Sequence, residues 1–270
     1  MNTELERTLA FHSMHVPGSP LILPNAWDVA SARVVLAAGA RAIATTSAGV
    51  AWSFGQRDGN NLTRTSALDA MRRIASSVTV PITVDIERGY GETPSDVAMT
   101  IIESIDAGVS GVNIEDSLGS IDEQERRITA ARVAADDAGI PLFINARIDT
   151  HLRGDIGSDG WVDETVARAS LYARAGASGI FVLGALRAET ITGLVNATTL
   201  PLNVAFGPGT LSISELARAG ASRVSAGSSI AEAAYSVAQH WATAMFDTPD
   251  AVVSSPPALG WGALNGLVRD

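Results

Sequence analysis

The chain has 270 residues, 46% of them hydrophobic, and it carries 29 acidic against 19 basic residues for a net charge of −10. This length is enough for a continuous hydrophobic core, and the negative charge disfavours nucleic acids and anionic membranes as partners. There is no Cys and every basic residue is Arg, which excludes disulfides, thiolate metal sites and Schiff bases to Lys.

The chain shows neither a signal-peptide pattern at its N-terminus nor an apolar run long enough to predict a membrane span. We therefore expect a cytoplasmic protein that acts on a small molecule and binds neither nucleic acid nor membrane.

Short apolar, β-branched runs alternate along the chain with Ala-rich stretches of helical period. The predicted strands are 21–27, 42–47, 82–87, 111–116, 142–149, 179–184, 202–206 and 223–227. Apolar strands alternating with amphipathic helices indicate a parallel sheet covered by helices, and eight such units predict a closed (β/α)8 TIM barrel of the α/β class. An open doubly wound sheet is the alternative. It is disfavoured because the first strand-to-helix turn lacks a dinucleotide-binding glycine fingerprint.

The predicted organisation is a single barrel domain with an N-terminal helix over residues 1–245, followed by a helical tail over residues 246–270. The tail contains Pro256 and Pro257, so we expect it to leave the barrel and pack elsewhere, against a second subunit. This predicts a homo-oligomer, either a dimer or a tetramer.

Polar side chains collect at the ends of the predicted strands, where a parallel barrel forms its active site. They are Asn25, Asp28, Thr46, Ser47, Asp85, Glu87, Glu115, Asp116, Asn145, Arg147, Asp149 and Asn203. Alternation places Asp85 and Glu87 on one face of their strand, with Glu115 at a similar height on the next strand. Three carboxylates this close would repel one another, and a hard divalent cation relieves that repulsion. We predict Mg²⁺, or Mn²⁺ as a second choice, with Asp85 as the direct ligand.

Several of these residues have a simpler interpretation. An acidic residue at a strand end is often a helix N-cap or a surface group, and we place Asp116 and Asp149 in that class. Arg147 is either a structural partner for the acids or a clamp for a substrate carboxylate, and we favour the clamp. Tyr90 and His151 are candidate proton donors. His240 is predicted to lie on a solvated helix surface.

Five segments in order, NAWDVASARVVLAAG, TTSAGVAWSFGQRDG, VDIERGYG, GVNIEDS and INARID, together resemble the isocitrate lyase and phosphoenolpyruvate mutase superfamily. The resemblance implies a (β/α)8 barrel, Mg²⁺ dependence and tetramers that exchange a C-terminal helix between subunits. It also implies a reaction that breaks or rearranges a C–C or P–C bond next to a 2-oxo or 2-hydroxy carboxylate.

Residue roles also follow from the resemblance. Asp85 is expected to meet the metal, with Glu87, Glu115 and Asp58 supporting its water shell. The carboxylate-binding arginine falls on Arg147. The substrate-binding residues that it implies are Thr46, Ser47, Ala48 and Arg147, and the position of Asn203 at a strand end adds Asn203 to them. The catalytic residues are expected to be Arg147, Asp58 and Ser47. Glu87 stands where many members have Asp.

The chain departs from the superfamily after the fourth predicted strand. The Lys-x-Cys-Gly-His loop of the isocitrate and 2-methylisocitrate lyases is replaced by EDSLGSIDEQE, which also lacks the Lys and Asn of the mutase gating loop. The sequence therefore predicts a Mg²⁺-dependent lyase that acts by decarboxylation or retro-aldol cleavage through an enolate, as in the oxaloacetate decarboxylases. The alternatives are a P–C bond enzyme, of the mutase or phosphonopyruvate hydrolase type, and a 2-oxo acid binding protein with little turnover.

Overall fold

The computed structural model describes residues 3–153, 160–247 and 267. The strands are β1 (Leu21–Leu23), β2 (Asn25–Ala26), β3 (Ile43–Thr45), β4 (Ile82–Asp85), β5 (Gly111–Glu115), β6 (Phe143–Ile148), β7 (Gly179–Val182), β8 (Leu202–Ala205) and β9 (Arg223–Ser225). The helices are α1 (Thr3–Ser13), α2 (Val29–Ala37), α3 (Ser47–Ser53), α4 (Arg64–Ser76), α5 (Pro94–Asp106), α6 (Ile121–Asp137), α7 (Gly160–Arg174), α8 (Ala188–Ala197), α9 (Ile213–Arg218) and α10 (Ser229–Asp247), with a 3-10 turn at Thr150–Arg153.

All strand pairs are parallel, and their order is β1-β9-β8-β7-β6-β5-β4-β3-β2. The two ends of this order, β1 and β2, are halves of one extended segment that is interrupted at Pro24, which has no backbone N–H to donate to a ladder. Before the break Leu21 pairs with Arg223, and after it Ala26 pairs with Thr45. The sheet therefore runs around a nearly closed barrel. The predicted TIM barrel is confirmed and the doubly wound alternative is wrong.

The strands are shorter than the sequence pattern predicts. The first is split at Pro24, and the third ends at Asp85 because Glu87 adopts a left-handed φ of 50°. Thr46, Asp116 and Asp149 likewise lie just beyond their strands, whereas Glu115, Arg147 and Asn203 remain within β5, β6 and β8.

The core has two apolar regions separated by the sheet and a smaller cluster of Val50, Leu62, Ala67 and Ala70. Outward-facing strand residues such as Ile114 and Ile144 are fully buried against the surrounding helices. Inside the barrel, at the N-terminal ends of the strands, Phe11 from α1 packs edge-on against Phe143, with ring centroids 5.6 Å apart, and His15 stacks on the same ring at 3.9 Å. Helix α1 therefore closes the end of the barrel opposite the polar strand ends.

A charged side chain lies in the barrel interior between these two ends. Arg223 is 1% exposed, and its Nη2 donates to Asn113 Oδ1 at 3.1 Å, an oxygen that also accepts from Asn145 Nδ2 at 2.9 Å. Its Nε and Nη1 have no partner within the described residues. Burial lowers the pKa of Arg223 to about 9, so the guanidinium still carries its charge at neutral pH.

The predicted boundary at residue 245 falls inside α10, and the division into barrel and tail stays a prediction. Most of the predicted tail, residues 248–266 and 268–270, lies outside the described residues. Leu267 is described, and its carbonyl accepts a hydrogen bond from Arg33 Nη1 at 3.0 Å. None of the described helices combines the length and apolarity needed to cross a membrane.

Alanine substitutions at two glycines should change the free energy of unfolding in opposite directions. A Cβ at Gly179 would lie 2.9 Å from Phe143 Cζ, whereas one at Gly193, exposed in α8, would meet nothing within 4 Å. We expect Gly179→Ala to lower the free energy of unfolding by about 1–3 kcal/mol through overpacking. Gly193→Ala should raise it by about 0.5–1 kcal/mol through helix propensity and a less flexible unfolded chain. Urea unfolding measures both, and a Gly179→Ala variant as stable as the parent would contradict the packing around Phe143.

Candidate active site

The polar ends of β4, β5 and β6 meet in a cluster of charged side chains. Arg147, next to last in β6, places its Nη1 2.6 Å from Glu115 Oε2 and its Nε 2.7 Å from Asp149 Oδ1. Ser117 Oγ donates to the other oxygen of Glu115 at 2.6 Å. Arg147 therefore lies between two carboxylates, which hold its guanidinium from two directions.

Asp85 ends β4 and is held by three neighbours. Its Oδ1 accepts the Glu87 N–H at 3.0 Å and its Oδ2 accepts from Ser47 Oγ at 3.2 Å, while its own N–H donates to Thr45 Oγ1 at 2.9 Å. Burial raises the pKa of the Asp85 carboxyl, an effect that the charge of Arg147 opposes. The Asp85 carboxylate is therefore fixed in place. Among the described residues, no positively charged side chain is in direct contact with it.

Glu87 is buried and reaches toward the loop between α3 and α4. Its Oε2 accepts the N–H of Asn60, itself in a left-handed conformation with φ of 61°. This loop also carries the exposed Asp58, whose charge raises the pKa values of both Asp85 and Glu87. The left-handed backbone at Glu87, rather than strand alternation, brings its carboxylate beside Asp85.

The remaining predicted substrate residues occupy two different places. Thr46, Ser47 and Ala48 are buried at the start of α3, and Ser47 joins them to the acidic cluster through its bond to Asp85. Asn203 lies in the barrel interior beside Arg223, its partner in register on β9. Its Oδ1 accepts from Ser225 Oγ at 3.2 Å, and its Nδ2 is buried without a partner in the described part of the chain.

The two candidate proton donors also differ in setting. Tyr90 Oη lies 3.5 Å from the carbonyl oxygen of Asp85, and burial, reinforced by nearby carboxylates, raises the pKa of the phenol well above its ordinary value. His151 lies in the 3-10 turn after β6, its ring centroid 4.6 Å from that of Trp161. Its ring fills the space beside Gly184, where a Cβ would clash with His151 Cδ2. His240 is exposed on α10, as predicted.

The interpretation of Asp116 and Asp149 as caps or surface groups is wrong. Both are 2% exposed. Asp149 accepts from Arg147 Nε, and Asp116 accepts from Arg168 Nη1 at 2.8 Å and from Tyr172 Oη at 3.1 Å. The partners Arg168 and Tyr172 on α7 were missed. The sequence did contain a signal for them. Arg168 and Tyr172 are four residues apart, so they lie on the same helix face, and the apolar Ala169 between them indicates that this face is buried.

The segment after β5 is a short turn. Ser117 and Leu118 have left-handed φ values of 46° and 61°, and α6 begins at Ile121 after the N-cap Ser120. Leu118 N–H donates to Asp116 Oδ1 at 3.2 Å, and the Gly119 carbonyl accepts from Arg168 Nη1 at 3.2 Å. Hydrogen bonds from a backbone N–H and to a backbone carbonyl therefore both hold the stretch SLGS in place.

The charge balance of the site fits a hard divalent cation. The pKa values of Asp85, Glu87 and Glu115 are all raised, first by burial and then by neighbouring carboxylates, Asp58 among them. Among the described residues, Arg147 is the guanidinium that pairs directly with one of these three acids, Glu115, which leaves the cluster with surplus negative charge. In the described ranges no three Asp, Glu or His side chains form a ready-made coordination group. The arrangement is thus compatible with an ion held by one or two carboxylates and completed by water.

The raised pKa of Glu87 gives the folding free energy a pH dependence of defined sign. The pKa is raised from 4.5 to about 7, so folding favours the protonated form. This contribution is complete below pH 4.5 and is lost as the pH rises through 7. Glu87 alone should therefore cost the metal-free protein roughly 1–3 kcal/mol of stability between pH 5 and pH 8, and Glu87→Gln should remove that part of the pH dependence. Denaturant unfolding in EDTA measures the slope, with the exposed Glu92→Gln as control. An unchanged slope in Glu87→Gln would contradict the assignment.

Comparison with known proteins shows which family the chain belongs to. The family model described as phosphoenolpyruvate phosphomutase matches residues 11–246. An uncharacterized protein of Mycobacterium tuberculosis (strain ATCC 25618 / H37Rv) is 36% identical over 88% of this chain and 90% of its own length. The 2-methylisocitrate lyase of Escherichia coli (strain K12) is 30% identical over 63% of this chain and 62% of the lyase. The oxaloacetate decarboxylase of Bradyrhizobium sp. (strain BTAi1 / ATCC BAA-1182) is 30% identical over 54% and 52%, respectively.

Solved structures agree with this placement. A proposed phosphonomutase from Burkholderia cenocepacia J2315 superposes with a TM-score of 0.85 at 43% identity, covering 88% of this chain and 99% of that one. A 2,3-dimethylmalate lyase, itself a member of the PEP mutase/isocitrate lyase superfamily, superposes with a TM-score of 0.80 at 25% identity, over 99% of this chain and 95% of the lyase. The chain therefore belongs to the phosphoenolpyruvate phosphomutase family, within the phosphoenolpyruvate mutase and isocitrate lyase superfamily.

Proposed function

We propose that this protein is a Mg²⁺-dependent lyase that cleaves a C–C bond next to a 2-oxo or 2-hydroxy carboxylate, by decarboxylation or retro-aldol cleavage through an enolate. The observation that carries this proposal is the position of Arg147 at the edge of an acidic cluster with surplus negative charge. A cation bound by the acids and a guanidinium beside them provide the two positive charges that a chelating 2-oxo acid needs.

Arg147 acts as the carboxylate clamp. Burial alone would lower the pKa of its guanidinium, but Glu115, Asp149 and Asp85 raise it above the ordinary value, so the side chain stays charged. A guanidinium has five N–H donors, and Glu115 and Asp149 engage only Nη1 and Nε directly. Donors remain for a substrate carboxylate, and the two acids fix the plane in which they are presented.

Asp85 would hold Mg²⁺ directly, and Glu87, Glu115 and Asp58 would hold the water around it. When bound, Mg²⁺ supplies the positive charge that stabilises an enolate oxygen. Ser47 donates its hydroxyl proton to Asp85 and so orients that carboxylate, and it belongs to the proposed substrate-binding set. Thr46, Ala48 and Asn203 complete the proposed substrate-binding set.

A proton must reach the enolate after the bond breaks, and the chain has no Cys to provide it. Of the two candidates, Tyr90 lies closer to the acidic cluster, and its raised pKa keeps the phenol protonated at neutral pH. His151 is the alternative donor. Burial lowers its pKa, so the neutral imidazole dominates at neutral pH.

The relatives support a lyase and leave one rival. The 2-methylisocitrate lyase, the oxaloacetate decarboxylase and the 2,3-dimethylmalate lyase are named for C–C bond chemistry. The rival is a P–C bond enzyme, favoured by the family description and by the 43% identical proposed phosphonomutase. Against it, the turn after β5 is short and carries neither Lys nor Asn.

Product analysis separates these activities. We expect pyruvate or another 2-oxo acid, without phosphate, when the protein and Mg²⁺ are given a panel of oxaloacetate, 2-methylisocitrate, isocitrate, 2,3-dimethylmalate and phosphonopyruvate. Asp85→Asn should lower kcat/KM by about 100-fold or more because the enolate loses its main electrostatic support. The control is Asp106→Asn, an exposed carboxylate on α5. Phosphate release from phosphonopyruvate would establish the rival, and thermal stabilisation without turnover would indicate a 2-oxo acid binding protein.

We also propose a homo-oligomer, on the basis of apolar surface around α10. This helix exposes Tyr235, Val237, Trp241 and Met245. Beside its first turns lies an apolar groove of about 530 Å³, lined by Ile22, Pro24, Phe206, Ile213, Ile230 and Ala233, among others. A contiguous exposed apolar surface of this kind supports a protein–protein interface.

Light scattering tests the assembly. A chain of 27.9 kDa should elute with the mass of a dimer or tetramer, and Trp241→Glu should shift it toward the monomer because a charge cannot be buried unpaired in an apolar interface. Gln239→Glu, on the same exposed helix, is the matched control. A parent protein that is monomeric at micromolar concentration would overturn the assignment.

A further inference from the structure

The buried carboxylate of Asp116 has an unusually complete set of donors. Its Oδ1 accepts the N–H groups of Leu118 and Asp149, each at 3.2 Å, and its Oδ2 accepts from Arg168 Nη1 at 2.8 Å and Tyr172 Oη at 3.1 Å. The side chain is fully buried. Four donors, one of them charged, compensate the loss of water and fix both carboxylate oxygens.

Two of these donors come from outside the barrel mouth. Arg168 and Tyr172 are one turn apart on α7, and Arg168 Nη1 also contacts Tyr172 Oη at 3.3 Å. Burial alone would lower the pKa of Arg168, but Tyr172, Asp116 and Glu164 raise it, so the guanidinium stays charged. Helix α7 therefore supplies a rigid, charged support under the end of β5.

The other contacts of Asp116 reach the strand that carries Arg147. The N–H of Asp116 donates to the carbonyl of Arg147 at 3.2 Å, and Asp116 Oδ1 accepts the N–H of Asp149. One residue thus holds the backbone on both sides of Ile148. The carboxylate of Asp149, oriented by that bond, in turn holds Arg147 Nε at 2.7 Å.

We infer that Asp116, supported by Arg168 and Tyr172, is a positioning residue for Arg147: it fixes the backbone at both ends of the Arg147–Asp149 segment and so aims the guanidinium at the substrate carboxylate. This inference rests on the proposed function, in which Arg147 is the carboxylate clamp. The alternative is a purely structural role, in which Asp116 only joins α7 to the barrel. In that case its loss would lower stability equally whether or not Arg147 is present.

A double-mutant cycle separates these roles, with oxalate as a planar carboxylate probe measured by calorimetry in the presence of Mg²⁺. We expect Asp116→Asn to weaken oxalate binding by about tenfold in the parent protein and by less than about twofold in an Arg147→Met background, because coupled residues are not additive. Asp106→Asn should leave the affinity unchanged in both backgrounds.

Asp116→Asn leaves the Arg168 charge poorly compensated and could fail to fold, so Tyr172→Phe provides a second cycle. It removes one neutral donor and should weaken oxalate binding in the same Arg147-dependent way, by about threefold. Far-UV circular dichroism verifies that each variant is folded, and the Tyr172→Phe cycle decides the question if Asp116→Asn is not.

The outcomes distinguish failure of the inference from failure of the proposed function. If Arg147→Met binds oxalate as tightly as the parent, the clamp itself is wrong and with it this part of the proposed function. If Arg147→Met loses binding but the effect of Asp116→Asn or Tyr172→Phe is equal in both backgrounds, the clamp stands and the positioning role is overturned.

Discussion

The crowding of carboxylates around Arg147 is the constraint on which the rest of the site depends. Asp85, Glu87, Glu115 and Asp149 all have raised pKa values, with burial as the leading cause. Such a cluster is tolerated only where donors are supplied in compensation, because an unpaired buried charge costs several kcal/mol. The barrel provides them from three strand ends at once. Arg147 serves Glu115 and Asp149, while Ser47 and a backbone N–H serve Asp85.

Backbone strain is concentrated in the same region. Within the described residues, the non-glycine positions with a left-handed φ are Asn60, Glu87, Tyr90, Ser117 and Leu118. All of them lie in loops at the polar end of the barrel, and each conformation costs on the order of 1 kcal/mol or more. Their hydrogen bonds to Glu87, Asp85, Glu115 and Asp116 offset part of this cost. The loops are thus held in conformations that the local sequence alone would not favour.

The alternation of apolar strands and amphipathic helices was sufficient to predict the barrel, because each signal is local and repeats along the chain. The break at Pro24 was not predicted, although a proline inside a strand pattern removes a ladder donor and is a local signal for it. Asp116 was misread for a different reason. Its Arg168 partner is 52 residues away, and no local pattern around Asp116 distinguishes a buried ion pair from a helix cap. The shared face of Asp85 and Glu87 was predicted from strand alternation, whereas the structure reaches a similar proximity through a left-handed turn.

Arg223 limits how this barrel could be changed by design or by evolution. Charges at Arg147 and at Arg223 both interact electrostatically with Asp85, the second from within the barrel. An apolar replacement of Arg223 is attractive for stability, since its Nε and Nη1 find no hydrogen-bond partner among the residues that the structure describes. Such a replacement would also strip a positive charge from the field beneath the acidic cluster. Replacing Arg223 would therefore relieve an incompletely bonded buried charge and, at the same time, weaken the positive field acting on Asp85.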